Sequence, residues 1–136
     1  MVFVTGGTGL IGSHLLYELA LRDYRIKAIK RNNSSIDQVY KIFRYYSKDA
    51  AKLFDKIEWV VADMRDKYAL HYLTTDVKDV YHCAGYISFN RTKKWEMSSV
   101  NIAGTANIVN ACMENNIRKF CYVSSIATLS YDEGAK

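Results

Sequence analysis

Length, composition and charge place this chain among ordinary globular proteins. It has 136 residues, of which 49% are hydrophobic and 24% charged, enough for one domain with one core. No apolar run reaches the roughly 20 residues that span a bilayer, and the chain does not begin with a basic region followed by a cleavable apolar stretch. We therefore expect a cytoplasmic protein with no membrane partner.

The net charge of +5 at pH 7 is compatible with nucleic acid or with a polyphosphate ligand. Basic residues are densest over residues 27–56, where they include Arg44, Lys48 and Lys52 and are typical of a solvated helix face. We expect no nucleic-acid partner. The three cysteines are scattered without a Cys-x-x-Cys pair, so we expect reduced thiols in or near the core and no bound metal.

Short apolar runs suited to buried parallel strands alternate with segments of helical periodicity. The predicted elements are, in chain order, a strand over residues 2–5, a helix over 10–21, a strand over 25–30, a helix over 36–54, a strand over 57–62, a helix over 67–74, a strand over 79–82, a helix over 95–115 and a strand over 119–123. Ser35 or Asp37 is the expected N-cap of the second helix. Apolar residues at helical spacing support three helices: Ile11, Leu15 and Leu19; Val39, Ile42, Phe43 and Tyr46; and Val100, Ala103, Ile108, Val109 and Cys112.

Five strands with right-handed helical crossovers predict an α/β fold with a doubly wound parallel sheet. The clusters TGGTGLIG, KRNN, ADMR, HCAG and VSS each fall at the carboxyl end of a predicted strand. Ligands of such sheets bind outside these ends, at the switch point between the first and fourth strands. The sequence therefore predicts one ligand site at this edge.

Three glycines in TGGTGLIG are spaced for a phosphate-binding turn between a strand and a helix. Gly6 permits the tight turn, Gly9 allows a pyrophosphate to approach the backbone, and Gly12 allows the helix to pack on the strand. The unpaired amides of a helix N-terminus attract phosphate. Ser and His follow Gly12, so the turn lacks the Gly-Lys ending of a P-loop. We therefore predict a bound dinucleotide.

With these residues in view, the chain resembles the extended short-chain dehydrogenase/reductase superfamily, also described as the NAD-dependent epimerase/dehydratase family. The resemblance follows Thr5-Gly6-x-x-Gly9-x-x-Gly12 and then Asp63-Met64, VYHCAG, VNIAGTANIVNAC and YVSS in the family's order. TGGTGLIGSHL with KR after the second strand is most similar to the dihydroflavonol-reductase-like branch, with sugar-nucleotide epimerases and dehydratases close behind. The resemblance implies a three-layer α/β/α Rossmann domain over residues 1–136. It would be incomplete, ending before a sixth strand and the substrate-binding part.

The resemblance also implies a set of cofactor contacts. The turn would contact the pyrophosphate, and Asp63 would accept a hydrogen bond from the adenine amino group beside the Met64 backbone. Asp63 as cap of a helix starting at Arg65 is the alternative. Small residues after the fourth strand would let the nicotinamide ribose pass. Residues implied to contact the cofactor are Gly6, Thr8, Gly9, Leu10, Ile11, Gly12, Met64, Cys83, Ala84, Gly85, Asn101 and Val123.

The end of the second strand favours NADP(H) over NAD(H). An NAD site usually places an Asp or Glu there, whereas this chain has no acid before Asp37. A guanidinium matches a 2′-phosphate, so we predict Arg31 as the main contact, assisted by Asn32 or Ser34. NAD is the alternative cofactor, and a solvated loop charge is the alternative role for Arg31.

Two polar residues outside the turn have alternative interpretations. We interpret His82 as a packed residue at a strand end and not as a base. Asn101 resembles the family's asparagine that bonds the fourth strand and helps to hold a water chain, with a polar helix-face residue as the alternative. Cys83 has no His or Asn partner that would make it a nucleophile, so we interpret it as a small apolar filler.

The resemblance implies that Ser125, or secondly Ser124, hydrogen-bonds the substrate. Its partner would be a Tyr-x-x-x-Lys pair on one helix face, with the Tyr as acid/base. The last tyrosine, Tyr131, has Ala135 four residues later and Lys136 five residues later, so the motif is missing. We therefore expect the cofactor half of a longer protein, inactive alone.

The leading hypothesis is an NADP(H)-dependent reductase or dehydrogenase acting on a small carbonyl or alcohol. The alternatives are a sugar-nucleotide epimerase or dehydratase that retains NAD, and a non-catalytic NAD(P)-binding module. The resemblance implies a homodimer for the full-length protein.

Overall fold

The computed structural model describes residues 1–128, which form one parallel sheet between two layers of helices. The five strands are β1 (Val2–Thr5), β2 (Ile26–Lys30), β3 (Ile57–Val61), β4 (Asp79–His82) and β5 (Lys119–Tyr122). Their order in the sheet is β3-β2-β1-β4-β5, and every pairing is parallel. The order reverses between β1 and β4, so the doubly wound fold and its switch point are confirmed.

Helices join the strands as the sequence predicts, with two differences described below. The α-helices are α1 (Leu10–Leu21), α2 (Asp37–Tyr46), α3 (Ala50–Phe54), α4 (Lys67–Leu73), α5 (Lys94–Ser98) and α6 (Thr105–Glu114), with a π-helical segment at Ser99–Gly104 and 3₁₀ turns at Arg91–Lys93 and Ile126–Thr128. Asp23 after α1 and Asn116 after α6 adopt positive φ, 63° and 53°, as residues following a helix end often do.

The two faces of the sheet bury separate apolar clusters, because successive side chains of a strand point to opposite faces. Val2 and Val4 of β1 pack with Leu16 of α1 and Phe43 of α2 on one face. Phe3, between them, packs on the other face with Leu70, Val80 and Ile108, from α4, β4 and α6. The molecule therefore has the predicted α/β/α layers. Ile11 lies outside this core, since its side chain is 55% exposed.

The single helix predicted over residues 36–54 is wrong. Ser47 leaves the helical conformation with φ −143° and ψ 141°, and its hydroxyl accepts a hydrogen bond from the Asp49 amide at 3.0 Å. Serine side chains commonly bond to nearby backbone groups in this way, and such a bond competes with continuation of the helix. The expected N-cap, Ser35 or Asp37, is wrong, because the N-cap of α2 is Ile36 with no side-chain cap; Ser35, one residue earlier, accepts from the Asp37 amide at 3.0 Å.

The helix predicted over residues 95–115 is continuous in direction but contains the π-helical segment. One extra residue in that turn shifts which side chains face the sheet. Ala103, expected in the core, is exposed, while Gly104 is buried and a Cβ on it would lie 2.9 Å from the Met64 Cβ. Helical spacing alone therefore places Ala103 on the wrong face.

Two further side chains differ from the composition-based expectation. Lys27, counted with the solvated charges, lies in β2 with its side chain 9% exposed, and its Nζ donates to Asp76 at 2.7 Å. Cys121 is exposed on β5, whose four residues are all exposed. Among residues 1–128, β5 has a strand partner on one side only, so it is an edge of the sheet. No helix of this described part is long and apolar enough to cross a bilayer.

Candidate functional site

Four strand ends and the turns that follow them converge on one cleft at the switch point. We call it the switch-point cleft; its volume is about 310 Å³, within the usual range for ligand pockets. Of the residues predicted for the site, the cleft is lined by Gly6, Thr8, Gly9, Arg31, Asp63, Met64, Cys83, Ala84 and Gly85. The strand-end clusters thus meet in space, as the parallel sheet requires.

The other predicted residues do not line the cleft. These are Leu10, Ile11, Gly12, Asn32, Asn101, Val123, Ser124 and Ser125. Ser124 and Ser125 lie two and three residues after the end of β5, at the same edge of the sheet, and both are exposed. The Ser125 carbonyl accepts a hydrogen bond from the Thr128 hydroxyl at 2.6 Å, within the turn that follows. Tyr131, Ala135 and Lys136, where the sequence lacks the Tyr-x-x-x-Lys motif, lie outside the described residues.

The glycine turn is shaped by close approach of backbone segments. Gly6 has φ +69°, and a Cβ there would lie 2.5 Å from the Ala84 nitrogen and from the Cys83 carbonyl carbon. A Cβ on Gly12 would overlap the Gly6 carbonyl oxygen and lie 2.9 Å from the Gly7 Cα. At Gly9, by contrast, the nearest atom is the Gly6 oxygen at 3.3 Å. Gly6 and Gly12 are therefore required by the fold, whereas Gly9 borders open space.

The first turn of α1 presents backbone amides to this space. Its N-cap is Gly9, which has no side chain to accept hydrogen bonds from the amides that follow, and the first turn contains no acidic residue. The Ser13 amide is the first to bond back into the helix, to the Gly9 carbonyl at 2.9 Å. The amides of residues 10–12 therefore have no partner within the helix. Such amides are the groups through which a helix N-terminus binds an anion.

The end of β2 brings positive charge to the rim of the cleft. Lys30, Arg31 and Ser34 all line it, and Asn32 does not. The Ser34 amide donates to the Arg31 carbonyl at 3.0 Å and closes the turn after the strand. Of the two assisting residues named from the sequence, Ser34 is therefore the one at the cleft.

Asp63 is bound on both carboxylate oxygens by Arg65. Arg65 donates to Oδ1 from its backbone amide (2.9 Å) and from Nε (2.8 Å), and to Oδ2 from Nη2 (2.6 Å). The guanidinium lowers the pKa of Asp63 to about 2, with a smaller contribution from Arg31. The alternative role of Asp63 as a helix cap is wrong, because Asp66 caps α4 by accepting from the Tyr68 and Ala69 amides.

His82 is a buried link between β1, β4 and α6. It is 1% exposed, with Nδ1 at 2.6 Å from the Thr5 hydroxyl and Nε2 at 3.0 Å from the Thr105 hydroxyl. Burial lowers the pKa of His82 to about 4, so the ring is neutral at pH 7. The Thr5 oxygen also accepts from the Ala84 amide at 3.3 Å. A buried hydroxyl needs an acceptor for its own proton, so Thr5 donates to Nδ1 and the ring proton is on Nε2.

The segment after β4 is fixed to the π-helical segment by Asn101. The Asn101 Oδ1 accepts from the Tyr86 amide, and its Nδ2 donates to the Tyr86 carbonyl, both at 2.8 Å. Nearby, burial raises the pKa of the Cys83 thiol to about 11, so the thiol is protonated at neutral pH. A protonated thiol suits a filler better than a nucleophile.

Sequence reasoning missed several residues that line the cleft. They are Ile29, Ala62, Arg65, Tyr86, Glu96 and Val100. Ala62 and Arg65 belong to the ADMR cluster, to which no contact by these two residues was assigned, and Tyr86 directly follows HCAG, so their positions beside strand ends were the available signal. Glu96 and Val100 come from the helix after β4, and no local pattern indicates that they reach the cleft.

A sheet of this order with a glycine turn at its switch point defines the Rossmann class of nucleotide-binding folds. The model of the NAD dependent epimerase/dehydratase family matches residues 2–135, and the chain belongs to that family. The resemblance seen in the sequence is thereby confirmed.

Relatives include both reductases and epimerases. A protein of Synechocystis sp. provisionally named dihydroflavonol 4-reductase is 28% identical over 127 residues, which are 93% of this chain and 33% of that protein. The UDP-glucose 4-epimerase of Dictyostelium discoideum is 28% identical over 129 residues, 91% of this chain and 36% of that protein. The chain thus spans about a third of the length of the curated relatives it matches.

A solved structure has the same fold. The UDP-glucose 4-epimerase of Stenotrophomonas maltophila, with bound NAD and formylated UDP-arabinopyranose, superposes with a TM-score of 0.74 at 24% identity, over 93% of this chain and 37% of that chain.

Proposed function

We propose that this chain is the dinucleotide-binding part of an NADP(H)-dependent oxidoreductase, and that residues 1–136 form its cofactor domain. The observation that carries the proposal is the turn at Gly9. A glycine N-cap leaves the α1 amides without a side-chain partner, beside a cleft where a Cβ would meet little protein. Backbone amides without a Cβ in front of them are what a pyrophosphate requires.

The remaining lining residues suit the other parts of such a cofactor. Asp63 would accept from the adenine amino group, and Cys83, Ala84 and Gly85 would flank the nicotinamide ribose with small side chains. When bound, the cofactor supplies nicotinamide C4 as the donor or acceptor of a hydride. The chain's own residues bind and orient it. Ser125, or secondly Ser124, is the proposed hydrogen-bond donor to a substrate carbonyl or hydroxyl.

The NADP(H) preference is supported by the charges at the end of β2. Arg31, Lys30 and Ser34 line the cleft, and the first acid after β2 is Asp37, at the start of α2. A carboxylate at this rim would repel a 2′-phosphate, whereas a guanidinium binds it through paired hydrogen bonds. NAD(H) remains the second candidate cofactor.

Calorimetric titration of the purified chain with NADPH and NADH tests this proposal. We expect NADPH to bind about tenfold or more tightly, since a charge-assisted contact supplies this difference. Arg31→Ala should remove the preference by weakening NADPH alone. Arg44→Ala, which removes the same charge from an exposed residue of α2, should leave both affinities unchanged. Equal or tighter NADH binding by the unmodified chain would contradict the NADP(H) assignment.

Epimerisation is the second candidate reaction, because the relatives include UDP-glucose 4-epimerases. A reductase releases its oxidised cofactor after one hydride transfer, whereas an epimerase returns the hydride and keeps the cofactor. Net oxidation of added NADPH by the complete gene product would support the reductase. Nucleotide retained through dialysis without net oxidation would support the epimerase.

Reading the coding sequence past Lys136 tests whether the product is an enzyme at all. A Tyr-x-x-x-Lys about 15–40 residues further on would complete the catalytic set. Its absence would support the non-catalytic binding module.

A further inference from the structure

Arg65 has a position that the proposed cofactor contacts do not use. Arg65 lines the switch-point cleft, and its side chain is 52% exposed. Two nitrogens of its guanidinium, Nε and Nη2, nevertheless donate to a single carboxylate. That carboxylate belongs to Asp63, two residues earlier. An arginine bound in this way is not free to act as a general surface charge.

The backbone around this pair is fixed on both sides. Met64, between the two residues, is 7% exposed, and its carbonyl accepts from the Asn107 side chain at 3.0 Å. The Asp66 amide donates to the Asp63 carbonyl at 3.0 Å, and Asp66 caps α4. The main chain of Asp63 is therefore held by packing, while the direction of its carboxylate depends on Arg65.

Arg65 does not use every hydrogen-bond acceptor position of the Asp63 carboxylate. Each carboxylate oxygen accepts about two hydrogen bonds. Oδ1 accepts two from Arg65, and Oδ2 accepts one. Within residues 1–128, these bonds leave one acceptor position on Oδ2, at a residue that lines the cleft. We propose that Arg65 is a positioning residue that aims this remaining position of Asp63 at the base of the bound nucleotide, and so selects adenine over bases without a 6-amino group.

This inference rests on the proposed function, since it requires a dinucleotide in the cleft. Two effects act in the same direction. The paired guanidinium fixes the carboxylate rotamer before the ligand arrives, which reduces the ordering cost of binding. The same pairing lowers the pKa of Asp63 to about 2, which reports how strongly the guanidinium holds the ionised carboxylate.

The chain contains a matched control pair. Arg118 binds Asp79 with the same geometry, Nε to Oδ1 at 2.9 Å and Nη2 to Oδ2 at 2.6 Å, and its side chain is 64% exposed. Asp79 begins β4, whereas the cleft lies where the strands end. Arg118→Ala therefore removes an equivalent pair at the opposite edge of the sheet.

The test compares NADP⁺ with its hypoxanthine analogue, in which a carbonyl replaces the 6-amino group. The unmodified chain should bind NADP⁺ about tenfold more tightly than the analogue, as expected for loss of a hydrogen bond to a charged group. Arg65→Ala should reduce this ratio to within about threefold by weakening NADP⁺, and Arg118→Ala should keep it. In an Asp63→Asn background, Arg65→Ala should change the ratio no further, because its effect passes through Asp63.

The outcomes separate this inference from the function on which it rests. Failure of the unmodified chain to bind either dinucleotide overturns both. If the unmodified chain binds NADP⁺ and Arg65→Ala keeps the base preference, the positioning role alone is overturned. Tighter NADP⁺ binding by Arg65→Ala also overturns it, because Arg65 would then compete with the base for the carboxylate. Thermal unfolding of each variant shows whether a change in the ratio occurs in a folded chain.

Discussion

Substitutions at Gly9 and Gly12, in the same turn, should have different effects: one should weaken ligand binding and the other should destabilise the fold. Gly9→Ala and Gly12→Ala add the same methyl group three residues apart. At Gly12 the new Cβ would overlap the Gly6 carbonyl oxygen and lie 2.8 Å from its carbon, where ordinary carbon contacts are about 3.5–4.0 Å. At Gly9 the nearest atom is 3.3 Å away, and φ −84° with ψ 172° is open to any residue.

The expected stabilities follow from these distances. Overpacking costs about 1–3 kcal/mol when side chains can move, and here the contacted atoms are backbone of β1's turn, so we expect about 3 kcal/mol or more for Gly12→Ala. That is a large share of a total of about 5–15 kcal/mol. Gly9→Ala reduces the conformational entropy of the unfolded chain, which favours folding by about 0.4–1 kcal/mol. This gain offsets the cost of the 3.3 Å contact between the new Cβ and the Gly6 oxygen. The stability of Gly9→Ala should stay within about 1 kcal/mol of the unmodified chain.

The assay is urea unfolding followed by far-UV circular dichroism, with NADPH titration of each folded variant. With a slope of about 1–3 kcal/mol per molar, Gly12→Ala should lower the midpoint by about 1 M or more. Gly9→Ala should keep its midpoint and weaken NADPH at least about tenfold, because the methyl group blocks charge-assisted bonds to phosphate. A Gly12→Ala chain as stable as the original would refute the packing argument. Unchanged NADPH affinity in Gly9→Ala would refute the placement of the pyrophosphate.

Two further predictions concern stability. The folded pKa of His82, about 4, lies below its ordinary value of 6.5, so the unfolded chain binds a proton first and stability falls by about 3 kcal/mol as pH drops from 6.5 to 4. Urea unfolding across this range should show the slope in Thr105→Val, which keeps the imidazole. The slope should become smaller in His82→Asn, where carboxylates with lowered pKa values such as Asp63 still contribute below about pH 5. An equal slope in His82→Asn would exclude His82 as its source. In the ion pair between buried Lys27 and half-exposed Asp76, Asp76→Ala should cost more, about 1–3 kcal/mol, than Lys27→Met, because it leaves the buried ammonium without its partner. The reverse order of urea midpoints would contradict this.

The strands and the location of the cleft were predictable because both depend on local pattern and parallel topology. Short apolar runs typical of parallel strands predict β1 and β4 at their observed bounds and the other three strands within one residue at each end. Once parallel strands are assigned, their carboxyl ends must share one edge. Gly9, Arg31, Asp63 and Ala84 therefore come together in the cleft although they are far apart in sequence.

What the sequence did not predict depends on contacts between distant segments or on competing local bonds. The hydroxyl of Ser47 ends a helix that periodicity would continue. Gly104 packs against Met64, and this close approach accompanies the π-helical turn that exposes Ala103. The role of Arg65 as a bidentate partner needed the geometry of a turn, since an Asp-x-Arg pattern alone does not fix which way either side chain points.

The cleft therefore has a packed floor and a more exposed rim. At the floor, the Gly6 Cα leaves no space for a side chain against the Cys83–Ala84 backbone, and the Thr5 hydroxyl accepts from the Ala84 amide while it bonds His82. This joins the ends of β1 and β4 through the chain's own contacts, so the proposed pyrophosphate site would need little ordering when a ligand binds. At the rim, exposed Arg31 after β2 and half-buried Asp63 after β3 are the proposed contacts to the 2′-phosphate and the base. Substitutions at the floor should change stability and affinity together, whereas rim substitutions should change selectivity in a fully folded chain.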